Sequence, residues 1–158
     1  MNTNEELVKK FYTAFKKLDS ETMNACYSDD IVFFDPAFGM LRGQEVKSMW
    51  EMLCKNAKDF SLTYENIITL DEDYCTCDWV ANYTFSKTGR RVINKIRANM
   101  KFANGKIIAH SDAFSLHRWS SQALGFPGWL FGWNRFFQRK IQNGARKSLL
   151  KYMGVLIT

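Results

Sequence analysis

The chain has 158 residues and a mass of 18.4 kDa, which suits one domain with a real core and is too short for two. A composition that is 46% hydrophobic and 15% aromatic excludes a disordered polymer and leaves aromatic residues to line a cavity. The net charge of +6 would suit a nucleic-acid binder if it were spread along the chain, but residues 1–118 carry 16 basic and 16 acidic residues, while 119–158 carry six basic and none acidic. Nucleic acid is therefore not an expected partner, and the basic tail is either a solvated helix face or a contact for an anionic surface.

Leu7, Val8, Phe11, Phe15 and Leu18 recur at three- and four-residue spacing with Lys9, Lys10, Lys16 and Lys17 between them, which predicts an amphipathic first helix. Ser20 is placed to cap a short second helix over 21–26, which Asp29-Asp30 ends. Ile31 to Phe34 is a β-branched and aromatic run stopped by Asp35-Pro36, and 39–43 predicts a second short strand. A third helix over 44–56 buries Val46, Met49, Trp50 and Leu53. The pattern then changes to strands over 61–70, 75–86, 91–102 and 106–116, separated by Asp71-Glu72-Asp73, Lys87-Thr88-Gly89 and Ala103-Asn104-Gly105, the last a strong hairpin signal. Helices followed by an antiparallel group predict an α+β domain, with the helices on one face of a curved sheet and a pocket on its concave side. Beyond it, 119–124 forms a turn of helix, Gly125 to Gly128 interrupts, and 129–153 is one amphipathic helix with Trp129, Leu130, Trp133, Phe136, Phe137, Ile141, Leu149 and Leu150 as its apolar set and Gly144 as a weak point. The domain is assigned to 1–118 and a basic, aromatic extension to 119–158, packed on the same domain or on a dimer partner.

Cys26, Cys54, Cys75 and Cys77 have neither a CxxC pair nor a matching histidine set, so no metal site or disulfide framework is expected. The start of the chain lacks the basic and apolar regions of a signal peptide, and no apolar run is long enough to span a bilayer. Free thiols and a cytoplasmic setting are expected.

Two places carry candidate chemistry. Asp35 ends an apolar strand among Phe33, Phe34 and Phe38, where desolvation would raise its pKa and suit it to proton transfer; Asp before Pro is equally the chemistry of a turn. On the last strand, period-two alternation puts Ile108, His110, Asp112, Phe114 and Leu116 on one face, so His110 and Asp112 either satisfy each other's surroundings or move protons. His117 falls on the opposite face, towards solvent. No GxGxxG, P-loop, GxSxG or HExxH pattern occurs, and no cofactor is expected.

The order of elements, together with Phe11-Tyr12-Thr13-Ala14-Phe15, Tyr27-Ser28-Asp29-Asp30 leading to Phe34-Asp35-Pro36, Leu41-Arg42-Gly43 before a helix with Trp50, and Asn104-Gly105-Lys106-Ile107, resembles the NTF2-like superfamily. The likeness is to its ketosteroid isomerase, SnoaL-type cyclase and limonene-epoxide hydrolase branches, and the tail is similar to that of SnoaL-like bacterial proteins of unassigned function. The resemblance implies a cone of three N-terminal helices on a strongly curved, mainly antiparallel sheet, usually dimeric, with a pocket between helices and sheet. It puts Asp35 at the general-base position of the isomerases, but their oxyanion-hole positions fall on Phe11 and Ala98. It puts Asp112 at one position of the epoxide hydrolases' Asp-Arg-Asp triad, whose other members fall on Trp79 and Ala81. A cyclase-like acid/base role for Asp112, with His110 assisting, leaves less unexplained.

The same alignment turns Phe11, Phe38, Trp50, Trp79, Tyr83, Ala98, Met100 and Phe114 towards a ligand. The expectation is an apolar chamber for a small hydrophobic, carbonyl-bearing molecule, serving either a cofactor-independent isomerase or cyclase or a binding or dimerisation module without turnover. For the tail, packing on the domain or its partner is favoured over contact with a membrane surface, although aromatic and basic residues on one helix suit either.

Overall fold

In the computed structural model, which describes residues 3–155, the apolar stripe of the first helix, α1 (Thr3–Lys16), buries Val8, Phe11, Tyr12, Ala14 and Phe15. The second, α2 (Ser20–Ala25), is capped one residue earlier than expected: the Asp19 carboxylate accepts the Thr22 amide at 3.0 Å, and Ser20 is already helical. The helix ends at Ala25, ahead of the Asp29-Asp30 pair that was expected to end it, and the following strand, β1 (Tyr27–Asp35), runs through that pair. Both aspartates face solvent beside a register shift between Tyr27 and Val32, so pairing continues past them without burying a charge.

A hairpin leads to β2 (Gly39–Arg42) and then to α3 (Gln44–Asn56), which has the expected bounds. Leu53 is exposed, contrary to expectation, and Met52 and Cys54 are buried instead. α3 packs against α2 and the C-terminal helix as well as β1 and β2, so residues beyond the expected stripe are covered, while Leu53 falls on the side that none of them covers.

The meander follows as β3 (Ser61–Asp71), β4 (Tyr74–Phe85), β5 (Arg90–Ala103) and β6 (Lys106–Ala113). Asn104 and Gly105 both take positive φ, 51° and 73°, as a tight two-residue hairpin turn requires. The sheet runs β2-β1-β6-β5-β4-β3 and is antiparallel except where β1 lies parallel to β6. With α1 to α3 covering one face, this is the α+β cone that the resemblance implied.

Beyond β6 the expectations need correcting. The strand stops at Ala113, and Leu116, expected on its inner face, opens α4 (Leu116–Leu124) under a Ser115 cap. The expected interruption is real but only one residue long: Gly125, at φ 72°, ends α4, and Phe126 to Gly128 already belong to α5 (Phe126–Phe131), with Pro127 in its first turn. The single helix over 129–153 does not form. α5 ends at Phe131 with Gly132 as its C-cap, and after a short turn Asn134 caps the next helix, its side-chain oxygen accepting the Phe136 and Phe137 amides, so that α6 is Arg135–Tyr152. Of the eight apolar residues assigned to that helix, Leu149 is fully buried, while Trp129, Leu130, Trp133 and Phe136 are exposed.

The early end of β6 leaves part of β5 without a strand on the side away from β4, since the pairing of β5 and β6 stops at Arg97 and Ala113. Gln122 of α4 substitutes for the missing strand: its amide accepts from the Ile93 N–H at 2.7 Å and donates to the Ile93 carbonyl at 3.1 Å. The start of the C-terminal extension is thus attached to the strand backbone through a side-chain amide. Among the described residues no helix is long and apolar enough to cross a membrane.

Candidate functional site

Alternation along β6 turns His110 and Asp112 into the cone, as expected, but a register shift opposite Lys101 and Phe102 puts Ile107 inside where Ile108 was expected. The parallel β1 lays Phe33 beside His110 and carries the Tyr27 side chain to the same place. The Tyr27 hydroxyl lies 2.7 Å from His110 Nδ1, His110 Nε2 lies 2.9 Å from Asp112 Oδ1, and every one of these side chains is buried.

Donor counting fixes the direction of this chain. The Trp50 indole N–H donates to the Tyr27 oxygen at 2.9 Å, and the Trp79 indole N–H donates to Asp112 Oδ1 at 3.3 Å. A neutral His110 protonated on Nε2 then accepts from the Tyr27 hydroxyl and donates to the Asp112 carboxylate, so that each group has a partner. The result is a relay from Trp50 to Tyr27 to His110 to Asp112, with Trp79 donating to the same carboxylate from its own side. Burial pushes the Tyr27 hydroxyl well above its ordinary pKa and the charge of Asp112 adds to this, while the bond from Trp50 opposes it. The Tyr12 hydroxyl is raised for the same two leading reasons, and it has no hydrogen-bond partner among the described residues.

Asp35 stands apart from the relay, at the end of β1. Its Oδ1 accepts the Phe38 amide at 2.6 Å, so turn chemistry and burial of the acid, which were alternatives in the sequence, hold together. Burial raises its pKa from 3.8 to about 7; the Phe38 amide works against this and the charge of Asp112 adds to it. Tyr83 is its neighbour: burial raises that hydroxyl, the hydrogen bond from the Trp119 indole at 2.8 Å lowers it, and the charge of Asp35 raises it further.

This end of the cone is crossed by α6. Gln142 donates to the Pro36 carbonyl at 3.0 Å, Arg146 to the Phe38 carbonyl at 3.4 Å, and Lys87 in the β4–β5 turn reaches Ser148 at 3.4 Å. Leu149 packs into the core beneath them.

The first match to known proteins is with a family model, the SnoaL-like domain, which covers residues 8–110. The chain belongs to the SnoaL-like domain family. This SnoaL-like domain also resembles several solved structures at low identity, which shows a shared fold. A candidate polyketide cyclase from Silicibacter sp. TM1040 is 18% identical with a TM-score of 0.68, over 77% of this chain and 94% of that one. A hypothetical protein with a ketosteroid isomerase-like fold from Catenulispora acidiphila, in complex with trimethylamine, is 16% identical with a TM-score of 0.67, over 78% and 95%. An LEH-like epoxide hydrolase of M. tuberculosis is 18% identical with a TM-score of 0.62, over 80% and 91%. No curated protein matches the sequence.

Within the SnoaL-like domain, Phe11, Phe38, Trp50, Trp79, Ala98 and Met100 are all buried in one cluster, with Tyr83 and Phe114 packed against it. They do come together, but against one another. The Phe11 ring lies 5.3 Å from Tyr27, 5.8 Å from Trp50 and 5.6 Å from His110, centre to centre, so these rings fill the interior that was expected to be an open chamber. Open grooves of about 320 Å³ and 190 Å³ lie elsewhere, between α1 and α2 and on the outer face of the sheet.

His117, expected on the outer face of the last strand, sits in α4, and its Nε2–H donates to the Trp129 carbonyl at 2.9 Å. All four cysteines are free and buried. No group of three or more His, Cys, Asp or Glu side chains among the described residues is placed to hold a metal ion. Tyr27 and Tyr12 are the polar residues that sequence reasoning did not select. Tyr27 could have been found by extending the strand backwards, because 27, 31, 33 and 35 share one phase and all are buried; the intervening aspartates concealed it. For Tyr12 the helical period selects its neighbour Phe11 equally well, and no sequence signal separates them.

Proposed function

We propose that this SnoaL-like domain binds a small, flat, hydrophobic molecule bearing a carbonyl group and catalyses a cofactor-independent proton transfer on it, of the isomerase or cyclase kind. The observation that carries this reading is a buried carboxylate, Asp35, at the end of the cone that α6 covers, with the buried Tyr27–His110–Asp112 relay deeper inside. An acid whose pKa is pushed to about 7 exchanges a proton near neutral pH with little driving force in either direction. Asp112 holds His110, and His110 holds Tyr27; in the reacting complex the Tyr27 hydroxyl turns from His110 Nδ1 to the ligand's carbonyl oxygen, where a donor is needed as negative charge develops. Because the interior is packed, the ligand enters by displacing aromatic side chains and lifting α6 from Pro36 and Phe38. The solved relatives named as a cyclase and an epoxide hydrolase agree with small-molecule chemistry in this fold and do not choose the reaction.

The test is a panel of hydrophobic ketones and enones, screened by thermal shift and then by deuterium exchange from solvent into the carbon next to the carbonyl. Asp35→Asn is expected to keep binding and lose exchange by roughly 10²- to 10⁴-fold. A second reading, a ligand-binding module without turnover, is favoured by the complete internal pairing of the relay. Binding with no exchange in the wild-type protein selects that reading, and the absence of any thermal shift sinks both.

The same proposal makes the chain a cytoplasmic homodimer, joined through the outer face of the sheet where Val32, Phe34, Met40 and Tyr74 form an apolar patch. Phe34 and Met40 are directly paired across β1 and β2, and both are half exposed.

A further inference from the structure

The two short C-terminal helices present a second feature that the proposed chemistry does not use. Gly125 and Asn134 bend the chain on either side of α5, and α5 is held hard against α4. A Cβ at Gly128 would collide with the Ser120 carbonyl, one at Gly132 would collide with the Gly128 carbonyl and the Ser120 hydroxyl, and His117 bonds to the Trp129 carbonyl. The backbone of this corner is thus fixed while its large side chains point outwards. Phe126 is 68% exposed, Trp129 58%, Trp133 69% and Phe136 80%, with Leu130 and Phe131 at 40% and 48%. Such a cluster on one fixed corner is costly in water unless something covers it.

Its charge says what covers it. Arg135, Arg139 and Lys140 follow directly, none of them forms an ion pair among the described residues, and 119–158 contains no acidic residue. An isologous contact between two copies would bring two such cationic sets together with no carboxylate from the segment to offset them. The Trp133 indole N–H donates within the corner, to the Leu130 carbonyl at 2.8 Å, so the ring can enter an apolar layer without leaving a donor unpaired and has none left to read a nucleobase.

We propose that the α5–α6 corner is a docking surface for a bilayer rich in anionic lipid, with the Trp129, Trp133 and Phe136 side chains entering the boundary between headgroups and acyl chains and the Arg135, Arg139 and Lys140 side chains meeting lipid phosphates. This reverses the sequence-based preference for packing of the tail. The reason is that α6 does pack, through Leu149 near its far end, but the aromatic half that precedes it does not. The inference stands without the proposed chemistry of the cone.

The experiment floats the full-length protein with vesicles of phosphatidylcholine alone and of phosphatidylcholine and phosphatidylglycerol in roughly equal amounts, at low and raised salt. Tryptophan emission is followed in parallel. The expected result is co-flotation and a blue shift with the anionic vesicles, both weakened by salt and by omission of phosphatidylglycerol. A Trp133→Ser, Phe136→Ser double variant and an Arg135→Gln, Arg139→Gln, Lys140→Gln triple variant are each expected to lose affinity by about tenfold or more. All five positions lie on this corner or at the start of α6, so unchanged circular dichroism and melting temperature establish that both variants are folded. No flotation of the intact protein with anionic vesicles overturns the proposal, as does flotation that neither variant alters. A dimer in sedimentation that the double variant splits, without vesicle binding, assigns the surface to a second copy instead. Oligonucleotide binding abolished by the triple variant, again without vesicle binding, assigns it to nucleic acid.

Discussion

The two carboxylates of the cone have different surroundings. Asp112 accepts from an imidazole and an indole, whereas Asp35 is buried with the backbone amides of Phe38, at its Oδ1, and Ala37 to accept from. The folded state therefore holds the Asp35 proton more tightly than the unfolded chain does. Between the ordinary value of 3.8 and about 7 the folded protein binds more protons, so the stability from Asp35 is complete below that window and is lost as pH rises through it. Asp35→Asn keeps an acceptor for the Phe38 amide and removes the titration. Its melting temperature should be less dependent on pH across the window and higher than the wild type's at pH values above it, which thermal denaturation in a series of buffers checks. The two buried tyrosines give an opposite pair of outcomes. Tyr27→Phe strands both the Trp50 indole and His110 Nδ1 and should cost about 2–4 kcal/mol in urea denaturation, while Tyr12→Phe removes a hydroxyl with no partner and should be neutral or stabilising.

At the level of elements, α6 joins the extension to the cone through one buried side chain and a few hydrogen bonds. Leu149→Ala should cost roughly 2–4 kcal/mol, and hydrogen exchange should speed up in α6 and in residues 36–39 before the sheet is affected. Equal acceleration in every strand would mean that α6 is part of the cooperative core and not a separable cover. Two glycines in the extension should respond in opposite directions. A Cβ at Gly144 meets nothing within 4 Å, so Gly144→Ala should raise stability by about 1 kcal/mol through helix propensity. Gly128→Ala drives a methyl group into the Ser120 carbonyl and should release α5 from α4, seen as loss of protection in both helices by hydrogen exchange.

For the whole molecule, the proposed homodimer makes a prediction of its own. Analytical ultracentrifugation should find a dimer, and Phe34→Asp should give a folded monomer, because the charge would sit in the centre of the outer apolar patch. The separation between what the sequence determines and what tertiary structure decides can be followed residue by residue. The α+β class, the bounds of α3, the Asn104-Gly105 turn and the inward phase of His110 and Asp112 come from periodicity and turn chemistry, which are local and survive in any context. The start of β1 at Tyr27, the shift from Ile108 to Ile107 and the exposure of Leu53 were set by pairing and packing against distant segments, and no local pattern encodes those partners. The sequence likewise brought the ligand-facing aromatics into one place but could not say whether they enclose space or fill it, since that depends on ring orientations fixed only when all the rings meet. The C-terminal aromatics show the same division most clearly. Their spacing is equally compatible with a buried stripe and an exposed one, and it was the break at Asn134 and the seating of α5 on α4 that turned them towards solvent.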